Sequence, residues 1–199
     1  LRMDEAQASA WEENTEREWS MWADSHECDV TRALTFGDIQ ELVFRQVLEN
    51  GDSFTLMPRF VRGFFPYLLR LQVVEADRVC NENWAPDSDN LAGGIEKDSY
   101  GAPLRYHITR QHPGNMLYAS KKNYTWDVVE AFGRNTGLRN VIHLYHVLRP
   151  GQSRGVPYLA PVIDSLKQLD RYTEAELMAA VVSGMFTVFV ETERGTGEL

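Results

Sequence analysis

Hydrophobic residues recur with a helical period at the start of the chain. Residues 1–23 lack proline and glycine and are rich in Glu, Ala and Arg, a composition that favours a helix. Three tryptophans, Trp11, Trp19 and Trp22, fall on one face of this helix. The pattern leaves two interpretations open: a stripe that faces the core of the chain, or a helix that docks onto a neighbouring subunit.

The clearest helical pattern spans residues 35–50. Thr35 is a favourable N-cap, and Asp38 three residues later completes an acidic variant of the capping box. The apolar stripe of this helix comprises Ile39, Leu42, Val43, Val47 and Leu48. Residues 50–52, Asn-Gly-Asp, predict the end of the helix.

Between these helices and the C-terminal part, apolar and polar residues alternate as they do in short strands. The expected strands are residues 53–60, 67–75 and 140–148. Residues 94–97 and 104–108 flank a short turn and predict a β-hairpin. Residues 81–94 and 111–125 are expected to be loops.

A helical period returns after residue 157. The apolar residues that recur at spacings of three and four are Leu159, Val162, Ile163, Leu166, Leu169 and Tyr172. Thr173 and Glu176 have the spacing of a capping box, at which a helix could restart. Residues 179–190 are strongly apolar but too short for a membrane span, which needs roughly 18 such residues, so we expect a buried or subunit-facing helix.

The order of the elements, helix then strands then helix, predicts an α+β fold rather than a doubly wound α/β sheet. We expect one α+β domain over residues 1–154, with small antiparallel sheets or hairpins flanked by helices. A long helix should follow over residues 155–190, and residues 191–199 should form a frayed polar tail.

Charge is distributed unevenly along the chain, whose formal net charge is −9. Residues 1–30 contain nine acidic and two basic residues, whereas residues 101–154 contain two acidic and eight basic residues. An acidic chain is a poor candidate for tight, non-specific binding of duplex DNA. The opposite charges of the two segments could pair between neighbouring subunits, pair within the chain, or remain solvated.

Histidines offer little support for a metal site. His143 and His146 are three residues apart, which places them on opposite faces of a strand. His107 and His112 flank a turn without a nearby third ligand. Structural roles are therefore the preferred interpretation for all four.

Other patterns for catalysis or cofactor binding are weak or absent. Asp87 and Asp89 lie in an oxygen-rich loop that lacks the downstream bidentate Glu of a helix-loop-helix calcium site. The sequence has no phosphate-binding loop, dinucleotide-binding fingerprint or nucleophile elbow. Cys28 and Cys80 are expected to be free thiols in a reducing compartment, with a disulfide as the alternative. The residues thus predict no enzyme, no cofactor and no metal.

Four segments carry a resemblance when they are taken in order. Residues 147–177 combine an Arg-Pro-Gly-Gln turn, an Arg-Gly pair and a Leu-Ala-Pro step that leads into the long helical pattern. The capped helix of residues 35–52, the strand of residues 71–78 and the hairpin of residues 94–108 precede it. Over essentially its whole length the chain resembles the portal proteins of lambda-like tailed bacteriophages.

The resemblance implies a portal-wing-like domain followed by a helix that leads toward the stem of the portal. It implies a structural subunit of a dodecameric ring at the capsid vertex, the head-tail connector, through which double-stranded DNA passes without sequence specificity during packaging and ejection. It further implies expression in the bacterial host cytoplasm, a location in the virion and no membrane association. Family members extend beyond both ends of this chain, and terminase and head-tail proteins are expected to contact those other regions.

Three residues lie where the predicted sheet is followed by the long helix. We expect Arg149, Arg154 and Gly155 to form a structural junction, with the glycine in a turn and the arginines in caps or subunit contacts. Two other hypotheses remain: a regulatory binding module with the same fold, and a metal-dependent hydrolase or nuclease. The second would use the regions of His107 and His112 or of Asp87 and Asp89.

Overall fold

Three α-helices and two small antiparallel sheets make up the described part of the chain, which comprises residues 4–115 and 124–185 in a computed structural model. The predicted α+β fold is confirmed. The described residues belong to two compact units, Leu1–Tyr158 and Leu159–Leu199. The predicted tail at residues 191–199 and the last five residues of the predicted long helix lie outside the described residues.

Helix α1 (Glu5–Ala23) begins with a capping box in which the side chain of Asp4 accepts a hydrogen bond from the backbone of Gln7. Its last turn alone is buried, through Trp22 and Ala23. Trp11 and Trp19 are 58% and 53% exposed. A core-facing stripe is therefore correct for Trp22 and wrong for Trp11, because residues 9–17 are all exposed in the described part of the first unit.

Helix α2 (Phe36–Asn50) confirms the predicted capping box. The Asp38 backbone N–H donates to the Thr35 hydroxyl at 3.3 Å, and a carboxylate oxygen of Asp38 accepts from the Thr35 backbone N–H at 2.9 Å. Gly51 ends the helix in a left-handed conformation with φ of +89°, and its N–H donates to Val47. The helix buries Ile39 against the end of α1.

The first sheet has three strands in the order β2-β1-β7, and the second has four in the order β3-β4-β5-β6. The strands are β1 (Asp52–Leu56), β2 (Gln72–Val74), β3 (Leu91–Ala92), β4 (Ile95–Lys97), β5 (Pro103–Thr109), β6 (Trp126–Glu130) and β7 (Val141–Tyr145). Neighbouring strands are antiparallel throughout. The register places Phe54 of β1 opposite both Val74 and His143.

The structure confirms the hairpin of β4 and β5 and differs from the sequence expectation at three places. The segment expected to be a loop over residues 81–94 contains strand β3, because Leu91 and Ala92 pair with β4. The strand expected over residues 67–75 is regular only at β2, because an isolated bridge between Arg59 and Leu69 takes the place of the ladder before it. Strand β6 was not expected. Its residues alternate poorly in polarity, and it is a strand because it pairs with residues 105–109 of β5.

Two clusters of buried residues form the core of the first unit. One cluster lies where the two sheets meet and includes Phe54, Val74, Tyr106, Ile108 and Val141. The other joins α1 and α2 to the strands and includes Trp22, Cys28, Ile39 and Leu71. Both cysteines are free, and burial raises the pKa of the Cys28 thiol, which fits a packing role.

The second unit contains a short 3-10 turn, Ala160–Val162, and helix α3 (Ile163–Met185). The helix begins later than residue 155 because Pro157 and Pro161 disfavour helical conformation in the residues that precede them. It does not restart at Thr173, whose hydroxyl donates back to the carbonyls of Leu169 and Asp170. Among the described helices, none has the length and apolar character that a membrane crossing requires.

Candidate assembly junction around Asp52 and Arg154

The candidate site lies where α2 ends and β1 begins. Here the backbone of residues 155–157 passes directly over Gly51. A Cβ atom on Gly155 would lie 1.9 Å from the carbonyl oxygen of Gly51, and a Cβ on Gly51 would lie 2.4 Å from the Val156 backbone. Both positions therefore need glycine, since any side chain would force the two segments apart.

Arg154 fills the centre of the site, and its guanidinium group uses all five of its N–H donors. Nε donates to Asp52 Oδ2 at 2.6 Å, and Nη2 donates to Asp52 Oδ1 at 3.2 Å, which makes a bidentate ion pair. Nη1 donates to the carbonyl oxygens of Val79 and Gly93 at 2.7 and 2.9 Å. Nη2 also donates to the carbonyl of Ala76 at 2.9 Å.

The carboxylate of Asp52 accepts two of these hydrogen bonds, and its side chain is 1% exposed. It also accepts from the backbone N–H of Gly155 at 3.1 Å and from His143 Nε2 at 3.4 Å. Burial alone would raise the pKa of Asp52, but the hydrogen bonds from His143 and Arg154 outweigh it and hold this pKa below its ordinary value. Asp52 is therefore a buried carboxylate anion.

His143 is the neutral partner of this anion. Its ring stacks between Phe54 and Tyr145, with centroid distances of 4.2 and 4.3 Å. Burial lowers the pKa of His143, and the hydrogen bond to Asp52 opposes this without reversing it. Since the ionised Asp52 can only accept, Nε2 of the neutral imidazole carries the proton.

The side chain of Gln152 stabilises the turn that precedes Arg154 by hydrogen bonds to the backbone. Gln152 Oε1 accepts from the backbone N–H of Leu148 at 2.8 Å, and Gln152 Nε2 donates to the carbonyl of Arg154 at 2.7 Å. The Tyr145 hydroxyl donates to the carbonyl of Gln152 at 3.1 Å. These hydrogen bonds hold the turn at Leu148 and at Arg154, the residue that contacts Asp52.

The structure brings together two of the three expected junction residues. Arg154 and Gly155 both contact Asp52, whereas Arg149 is exposed in the turn. The tryptophan set is separate from this site: Trp22 Nε1 donates to the Leu69 carbonyl at 3.0 Å, and Trp19 packs on Trp22 and Phe36.

Sequence reasoning missed Asp52 and His143. The sequence assigns Asp52 only to the end of a helix, and it favours a structural role for His143 without indicating the partner. The one available signal for this site is the position of Asp52, which directly follows Gly51 and begins strand β1. A charged residue that is buried at such a position needs a partner of opposite charge.

The residues suggested for a metal-dependent enzyme have other partners. His107 lies 3.2 Å from Glu82 and 3.6 Å from Glu96. Asp87 accepts from the Asn81 side chain and from the backbone of Gly93, which orders its loop. Within residues 4–115 and 124–185, no group of three or more His, Cys, Asp or Glu is arranged to hold a metal ion.

Replacing Arg154 tests the energetic importance of the junction. Arg154→Ala leaves Asp52 as a buried charge without its ion-pair partner, so the free energy of unfolding should fall by about 3–5 kcal/mol. Urea unfolding at neutral pH measures this change. Arg45→Ala is the matched control, because Arg45 forms an exposed pair with Glu41 one helical turn away and should change the midpoint little. An Arg154→Ala midpoint equal to wild type would contradict the assigned role.

Acidification tests the state of His143. The ordinary pKa of the imidazole is 6.5, and the folded chain lowers it, so protons bind preferentially to the unfolded state as the pH falls below about that value. We expect the free energy of unfolding to decrease with falling pH through this range, and His143→Gln to flatten the decrease. Urea unfolding from about pH 7.5 to about pH 4.5 measures it. The exposed His146→Gln serves as the control, and equal slopes in wild type and His143→Gln would refute the assignment.

Comparison with known proteins identifies relatives along the whole chain. The family described as "Phage portal protein, lambda family" matches residues 1–199. The chain is 28% identical to portal protein B of Escherichia phage lambda over 98% of its own length, and 26% identical to the portal protein of Escherichia phage N15 over the same share. It is 25% identical to a probable portal protein of Halomonas phage phiHAP-1 over 89% of its length.

The chain spans 36% of the lambda and N15 proteins and 33% of the Halomonas phage protein. The four segments that carry the resemblance lie within the matched region, as do Asp52, Arg154 and Gly155. The chain belongs to the lambda family of phage portal proteins.

Proposed function

We propose that the chain is a structural part of a phage portal subunit, in the head-tail connector through which double-stranded DNA is packaged and ejected. The family match over all of its residues is the observation that carries this proposal. The junction geometry supports a structural role, because its carboxylate and guanidinium are occupied by each other and by backbone groups. Nothing observed favours a metal-dependent hydrolase or nuclease.

The proposal includes self-assembly into a dodecameric ring at the portal vertex of the virion, after expression in the host cytoplasm. DNA would pass through the ring without sequence specificity. The net charge of −9 is consistent with this, since a surface rich in Lys and Arg would hold DNA by release of counterions. Terminase and head-tail proteins would bind other parts of the portal, and neither catalysis nor a cofactor belongs to this region.

Within that ring, the Asp52–Arg154 junction would fix the point at which the chain leaves the first unit. Residues 155–157 are held on Gly51 and Asp52, and helix α3 follows in the chain at residue 163. A closed ring requires the same geometry at each interface, so a junction that is disturbed in every subunit should impair ring closure. Arg149, exposed in the neighbouring turn, is proposed as a subunit contact.

Assembly of the complete natural protein tests the proposal. Light scattering should give the mass of a closed dodecamer, and electron microscopy should show a ring with a central channel. Arg154→Ala should lower the yield of rings, whereas Arg45→Ala should not. A wild-type protein that remains monomeric or forms open-ended polymers would contradict the portal function.

A further inference from the structure

We propose that helix α1 of one copy docks in a cationic cleft on the neighbouring copy, so that Glu12 of the helix faces Arg139 of the cleft. This inference rests on the proposed ring, and it names two surfaces that would meet in it. The cleft lies beside the β4–β5 hairpin and is lined by Lys97, Tyr106, Phe132, Arg139, Tyr145 and Gln152, among others.

Helix α1 has the features of a docking element. Residues 9–17 are all exposed, which at 1.5 Å per residue leaves about 14 Å of helix without a partner. The capping box at Asp4 nevertheless satisfies its N-terminal end. A helix that is capped but not packed gains most of its stability from contact with another surface.

The exposed face of α1 presents apolar and acidic side chains in adjacent rows. Trp11 and Trp19 are two helical turns apart on one row. Glu12 and Glu16 are one turn apart on the next row, and both are exposed. Tryptophans that are more than half exposed are typical of interface anchors, and the acidic row adds selectivity for a cationic partner.

The cleft offers the complementary chemistry. Its lining includes two cations, Lys97 and Arg139, and no carboxylate. Arg139 is exposed and stacks on the ring of Phe132 at 5.2 Å, and the ring is itself 41% exposed.

Neither Arg139 nor Lys97 has a carboxylate within ion-pair distance among the described residues. Arg105, Arg110 and Arg134 each form an ion pair within the chain. Lys97 is held by a backbone contact to Gly151 rather than by an acid. The cleft therefore retains positive charge that the described residues of the first unit do not neutralise.

The acidic residues of α1 do not neutralise this charge within the same chain. Of the ion pairs seen in residues 4–115 and 124–158, none joins an acid of the first thirty residues to a base after residue 100. The helix face and the cleft are also different surfaces. A contact between two different surfaces is the heterologous kind from which rings are built.

Charge reversal in the complete natural protein tests the pairing. Glu12→Lys and Arg139→Glu should each lower the fraction of protein in rings by about tenfold, and the double variant should restore it to within about twofold of wild type. Light scattering measures the ring fraction. Glu13→Lys is the matched control, because Glu13 lies on the opposite side of α1 from Trp11 and should assemble as wild type. Thermal unfolding of each variant shows that the exposed substitutions leave the fold intact.

The outcomes separate this inference from the proposed function. Normal rings in both single variants would overturn the helix–cleft contact and leave the portal function in place. Loss of rings in Arg139→Glu without rescue by Glu12→Lys would also overturn it, because the cleft would then receive a different segment. Normal rings that package less DNA in Arg139→Glu would assign the cleft to DNA phosphates instead. A wild-type protein without rings would contradict the portal function itself.

Discussion

The buried ion pair between Asp52 and Arg154 is the interaction on which the first unit depends. Its partners are 102 residues apart in sequence, and the guanidinium also binds the carbonyls of Ala76, Val79 and Gly93. One side chain therefore joins the α2–β1 corner, the turn after β2, the β3–β4 turn and the segment that precedes α3. Burial of the Asp52 carboxylate beside a partly buried guanidinium is unfavourable by several kcal/mol, and complete hydrogen bonding offsets it.

The groups at this junction are occupied by one another and by the backbone. The carboxylate of Asp52 is ionised and occupied, His143 is neutral between two aromatic rings, and Gly155 approaches Gly51 too closely for a side chain. Each contact restricts the path of residues 152–157. In the proposed ring, a fixed path of these residues would give every copy the same geometry, which a closed assembly requires. The exposed helix α1 and the cationic cleft are the surfaces proposed to meet between neighbours.

Elements with local signals were predictable from the sequence, and long-range pairs were not. Helix α2 follows from its own capping box and from Gly51, and the β4–β5 hairpin follows from a short turn between alternating residues. Strand β6 has weak alternation and exists through pairing with β5. Asp52 and His143 looked unremarkable in sequence because their partners come from distant segments. The resemblance located Arg154 and Gly155, and only the structure reveals the carboxylate that they bind.

A double-mutant cycle at the junction tests the central claim most directly. The free energy of unfolding would be measured for wild type, Asp52→Asn, Arg154→Met and the double variant. If the two side chains act as one buried unit, each single variant loses nearly as much as the double, and the coupling energy is about 2–3 kcal/mol. Additive losses, with a coupling energy near zero, would contradict the claim that this pair holds the four segments together.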